Sequence, residues 1–155
     1  PADRLDTLLE ALRQRAAALV PTDHAPALKA DAEVGLPDLD ARLWDFVDTM
    51  APFGEGNQPP LFLTRRLVPT QVATVGAAGE HLRLVFDWSA GDSPHPVGSS
   101  GRRGGGGSMS AIGFRLGGAD LGTGQVDALY ALRTSYWKGR RKRELELKAI
   151  QPSAG

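Results

Sequence analysis

Cysteine is absent from the chain, which excludes a disulfide framework and every thiolate metal site. That absence is expected of a protein kept in a reducing cytoplasm. Histidine is almost as scarce: His24, His81 and His95 have no neighbours at ligand spacing, so no metal site is expected. No apolar run is long enough to span a bilayer, and the N-terminus lacks the basic-then-apolar plan of a secretory leader, so no membrane partner is expected. Nucleophile-elbow, phosphate-loop and zincin patterns are missing too, and no catalytic residue is expected. Pro1 stands where an initiator methionine would, as expected of a processed chain or a piece of a longer one.

Net charge is also lacking, but the zero hides a division. Residues 1–60 hold 5 Lys/Arg against 11 Asp/Glu, and residues 61–155 hold 13 against 7, a balance of −6 followed by +6. Such asymmetry points either to a polyanionic partner for the basic half or to two surfaces that attract each other.

What is present falls into two regimes of periodicity. Leu5, Leu8, Leu9, Leu12, Ala16 and Leu19 recur at helical spacing over residues 3–19, between a cap at Asp3 and a stop at Pro21. Ala27–Val34 reads as a short extended segment. A second helix follows, capped by Asp38, with Leu39, Leu43, Phe46, Val47 and Met50 on its apolar face and Asp40, Asp45 and Asp48 toward water. From residue 61 the period changes to two. Residues 61–76 form a first strand bent at Pro69; Leu82, Leu84, Phe86 and Trp88 alternate in the second. Ile112, Phe114 and Leu116 are expected inward in the third. The fourth and fifth flank a turn at Gly139, with Leu145, Leu147 and Ala149 inward and Glu144, Glu146 and Lys148 outward.

The expected fold is therefore mainly β with N-terminal helices: a five-stranded Greek-key barrel of the OB type preceded by a two-helix connector. An SH3-like barrel is the competing arrangement. Residues 1–58 would form the helical connector and residues 59–155 the barrel. Residues 92–108, rich in glycine and serine, form a flexible loop within it.

The joint between the regimes, "LWDFVDTMAPFGEGNQPPLF", resembles the segment that precedes the C-terminal OB domain in the RecJ family of bacterial single-strand-specific DNA exonucleases. The resemblance rests on Pro52, Phe53, Gly54, Gly56, Asn57, Pro60 (one place later than usual) and Phe62. It continues through Val75–Gly76, His81–Leu84, Ala111–Phe114, Trp137 and Gly139 to "LELKAI". Ser135 stands where the family often has asparagine, and the loop after Gly139 is longer and more basic. Glycine and proline together make the joint sharp and stiff, with Phe53 and Phe62 anchoring it and Asn57 bonding to its own backbone.

The resemblance implies that residues 1–58 hold the tail of a DHHA1-type domain and a linker helix. It implies a parent that digests single-stranded DNA from the 5′ end with Mn²⁺ or Mg²⁺, in repair and recombination. The DHH-type motifs that bind such metals are missing from this sequence, and "DH" at Asp23–His24 reads as a loop fragment. The chain itself is expected to need no cofactor. Its expected partners are single-stranded DNA and the catalytic DHH/DHHA1 portion of the parent.

Barrels of this type hold single strands with cations along the backbone and aromatics under the bases. "SYWKGRRKR" supplies both. Tyr136 and Trp137 are the candidate stacking residues, and Lys138, Arg140, Arg141, Lys142 and Arg143 the candidate phosphate contacts. Arg83 and Arg115 are expected to extend the surface from neighbouring strands, with Arg65, Arg66 and Arg133 as weaker candidates. The alternative is a protein-docking module whose basic turn seats the acidic tail of single-strand binding protein.

Overall fold

The computed structural model describes residues 28–89, 106–122, 124–137 and 139–154, with the backbone alone for Trp137. The expected helix at 3–19 and most of the Gly/Ser-rich loop lie outside the described residues. Within them are seven strands: β1 Ala32–Glu33, β2 Leu61–Leu67, β3 Pro69–Val75, β4 His81–Trp88, β5 Gly107–Gly113, β6 Val126–Trp137 and β7 Arg140–Pro152. They form one sheet in the order β1-β2-β6-β7-β5-β4-β3.

The expectation of a closed five-stranded barrel is corrected in two respects. The expected first strand divides at Val68, because Pro69 has no N–H to donate and the ladder shifts between Thr64 and Leu67. Its halves then part: β2 pairs with β6, and β3 pairs with β4. β1, from the extended segment, adds in parallel to β2 through Ala32↔Phe62 and Glu33↔Leu63. Among the described residues no ladder joins the outermost strands, so the sheet is not closed. Yet β2 and β3 are consecutive in the chain and stand near opposite ends of the strand order, so the sheet must curl back on itself. A short parallel link, Ala111↔Leu145 and Ile112↔Glu146, joins β5 to β7 across the middle.

Inside the curl lie Phe62, Leu82, Leu84, Phe86, Val126, Tyr130, Leu145 and Leu147. Tyr130 is polar only at its tip, where its hydroxyl lies 2.7 Å from the Thr64 hydroxyl; burial pushes its pKa up to about 12. Two strands depart from their expected facing. In β5 it is Ala111 and Gly113 that are buried, while Phe114 lies beyond the strand at 46 % exposure. A Cβ at Gly113 would meet the Leu116 side chain at 2.8 Å, so glycine suits that inward position. In β7 a register shift opposite Leu129/Tyr130 reverses the alternation after Leu147, so Ile150, and not Ala149, packs against the core.

One helix, α1 at Ala41–Thr49, covers one end of the sheet. Its N-cap is Asp40, whose carboxylate accepts from the N–H groups of Arg42 and Leu43, each at 2.9 Å. Asp38 instead closes a 3-10 turn at Leu36–Asp38 by accepting from Gly35 N–H at 3.0 Å. Leu39 belongs to that turn, so the buried stripe of α1 is Leu43, Trp44 and Val47, centred on Trp44 at 1 % exposure. Phe46, expected in the core, is 63 % exposed.

The joint after α1 is built as its residues suggest. Asn57 donates from its side-chain amide to the carbonyls of Met50 (3.1 Å) and Pro52 (2.8 Å). Gly54 and Asn57 exchange backbone bonds across the turn, with Gly56 at φ +83°. Phe53 packs against the core and Phe62 is part of it.

Candidate nucleic-acid interface

Alternation along β6 and β7 sorts the basic hairpin onto two faces. The ladder pairs Tyr136 with Arg141 and Thr134 with Arg143; it pairs Ser135 with Lys142 and Trp137 with Arg140. Gly139, at φ +74°, turns the chain between the strands.

The first set faces α1. Arg141 donates to Asp48 and, at 3.3 Å, to Asp45; Arg143 donates to Asp45 at 2.6 Å. The Asp48 hydrogen bond, ahead of Asp45, holds the Arg141 guanidinium further above its ordinary value. Arg143 also lies 5.4 Å over the Trp44 ring, and its Nε is buried without a hydrogen-bond partner among the described residues. The expectation that Asp45 and Asp48 face only water is thus corrected: two of the five expected phosphate contacts, Arg141 and Arg143, hold carboxylates of α1. Tyr136, on the same side, stays 74 % exposed at the tip.

The second set lies on the outer face of the sheet. Lys142 donates to Glu144 at 2.6 Å, and Arg133 approaches the same carboxylate at 3.9 Å. The Arg133 guanidinium lies 5.4 Å over the Phe114 ring, whose other neighbour, His81, meets it edge-on at 5.3 Å. His81 Nδ1 accepts the Arg115 N–H at 3.1 Å, fixing a turn in which Arg115 has φ +62°. The close approach continues at Gly117, which donates to the Glu80 carbonyl at 3.0 Å and has no room for a Cβ. Arg83, opposite Ile112 in the β4–β5 ladder, is exposed on this outer face. Arg83, Arg115 and Arg140 enter no ion pair among the described residues.

The structure therefore sets Arg133 over Phe114, with Arg115 next to Phe114 in the chain and Arg83 on the neighbouring strand, and with Lys142 and Arg140 one and two alternate positions toward the hairpin tip. It sets Tyr136, Arg141 and Arg143 on the other side. Lys138 and the Trp137 side chain lie outside the described residues. Phe114, His81 and the central position of Arg133 were missed by sequence reasoning. The available signal was the glycine at Gly113, which favours burial of the small-residue phase of β5 and hence exposure of Phe114.

At the sheet's other end, Arg66 has φ +57° and is pinned by its N–H to Asp127 Oδ1 at 3.0 Å. Asp127 is buried, which alone would raise its carboxyl. The Ser153 hydroxyl, the Arg66 N–H and the Arg65 guanidinium outweigh burial and hold it below the ordinary range. No group of three or more His, Asp or Glu is placed to hold a metal among the described residues.

A curled sheet with a consecutive pair of strands on its two sides, a parallel link and an exposed outer face defines an OB-fold region. Residues 30–94 match the family model of the RecJ OB domain. Two crystal structures of RecJ from Thermus thermophilus are similar to the chain. The Mn²⁺ complex is 19 % identical with a TM-score of 0.57, over 99 % of this chain and 20 % of that one. The Mg²⁺ complex is 21 % identical with a TM-score of 0.56, over 98 % and 21 %. These likenesses concern the fold, and the chain spans about a fifth of the RecJ chains it matches. The small single-stranded DNA-binding protein of Streptomyces coelicolor is 15 % identical over 61 % of this chain and 94 % of its own, and its TM-score of 0.36 carries no argument. No curated protein matches the chain.

Proposed function

We propose that this OB-fold region binds single-stranded DNA on the outer face of β4, β5 and the β6–β7 hairpin. The observation that carries the reading is the half-exposed Phe114 ring beneath the Arg133 guanidinium, with Arg115 next in the chain and Arg83 on the neighbouring strand, neither in an ion pair among the described residues. A ring offers a stacking face to any base, and the arginines offer charge to the flanking phosphates. Sequence preference is slight in such a mode, because base edges are not read. The second and third strands of an OB fold and the loop between its fourth and fifth are where oligonucleotides bind, and β4, β5 and the hairpin tip occupy those places.

The RecJ likeness extends the proposal to the setting: a 5′–3′ exonuclease of repair and recombination, in which this region steadies the strand while a DHH/DHHA1 portion does the metal-dependent cutting. A 5′-labelled oligonucleotide titrated at two salt concentrations, beside the same sequence as duplex, tests the binding. Salt-sensitive binding of the single strand is expected; no shift at either salt overturns it and favours docking of the acidic tail of single-strand binding protein.

A further inference from the structure

The carboxylates of Asp45 and Asp48 hold the α1 side of the basic hairpin, behind the outer face on which the strand is proposed to lie. We propose that they are an internal competitor for DNA: Asp48 occupies Arg141, and a strand that crosses the hairpin tip from the outer face to the α1 side must displace it to gain that contact. The inference rests on the single-strand reading and adds to it a built-in limit on affinity.

The geometry separates exchange from anchorage. Arg143 is held two ways, by Asp45 and by the Trp44 ring, and its Nε is buried, so it serves the packing of α1. Arg141 has only the two carboxylates, and its side chain and theirs are all more than a third exposed. Ion pairs this exposed are weak and easily exchanged. Nor does the hairpin need them for its shape. Its ladder runs from Val126↔Pro152 to Trp137↔Arg140 with one register shift, and Gly139 supplies the turn. Across the strand from Arg141 is the exposed Tyr136. Freed from Asp48, Arg141 would stand beside an open aromatic ring, the pairing a single strand uses.

The test is a double-mutant cycle on the whole chain, read as affinity for a labelled single strand at several salt concentrations. Asp48→Asn is expected to tighten binding about three- to tenfold at low salt and to steepen the salt slope by about 0.7, one added phosphate contact. In an Arg141→Ala background the same substitution is expected to change nothing, and Asp48→Glu to retain wild-type binding. Should Asp48→Asn melt too early for comparison, Asp45→Asn, which removes the other carboxylate from Arg141, is read in the same way. Wild-type binding with no gain in the variant, or a gain that persists without Arg141, overturns the inference and leaves the proposed function standing. Failure of wild type and variant alike to bind DNA removes the proposed function, and this inference with it.

Discussion

Replacing Phe114 with alanine separates the two kinds of contact that the outer face offers. The ring is 46 % exposed, touches His81 edge-on and lies under Arg133, so its loss should cost the fold only about 1 kcal/mol. For a bound strand the loss is larger: a base stacked on an aromatic is worth about 1–3 kcal/mol, or roughly 5- to 150-fold in Kd. Because stacking releases no counterion, the slope of log affinity against log salt should stay as in wild type. Arg83→Ala should do the reverse, with a modest loss of affinity and a slope shallower by about 0.7. Anisotropy of a labelled oligonucleotide at four salt concentrations reads both, with a thermal melt to show that each variant is folded. Wild-type Kd in a folded Phe114→Ala protein would refute the stacking role. A shallower slope in that variant would mean that the ring merely positions Arg133.

Asp127→Asn should lower stability at pH 7 by about 2 kcal/mol, since it weakens the bonds from Ser153 and from the N–H and guanidinium of the Arg65–Arg66 bulge. The carboxyl is held below its ordinary value in the fold, so its contribution is complete above the unfolded value and is lost as pH falls through the folded one. Denaturant titrations from pH 7 to pH 3 should therefore show a flatter acid limb in the variant, and parallel limbs would contradict the assignment. Trp44→Ala should cost about 3–5 kcal/mol in the same assay and Phe46→Ala less than about 0.5, because the first is enclosed and the second stands in water.

Much of the fold was legible because alternation and turn chemistry agree with the packing. Leu82, Leu84 and Phe86 face inward as their spacing requires, and Gly139 marks the hairpin. The joint from Pro52 to Phe62 is closed by Asn57 as a short amide among glycines and prolines suggests. What was not legible depends on contacts remote in sequence. Nothing local says that β5 must meet β7 backbone to backbone, and that meeting buries Ala111 and turns Phe114 outward. Nor does hydrophobicity rank Trp44 above Phe46 on α1, since both fit a helical stripe. Only the 3-10 turn that removes Leu39 from that stripe decides between them.

The candidate site shows the same limit in its charges. Five cations in six positions, Lys138 to Arg143, read along the chain as one patch. A strand sends neighbours to opposite faces, so Arg141 and Arg143 turn to α1 while Lys142 turns to Glu144. The acidic first part of the chain thus neutralises some of the basic second part, which is one of the two explanations of the charge division. Arg83 and Arg115, which like Arg140 enter no ion pair among the described residues, are isolated in the sequence and were the lesser signal in it. They come together with Phe114 because β4 and β5 are neighbours in the ladder and because the turn at Arg115 is tied to His81. For a surface built on strands, the useful count is of charges on one face that lack a carboxylate beside them, and on that count the proposed site is centred on Phe114.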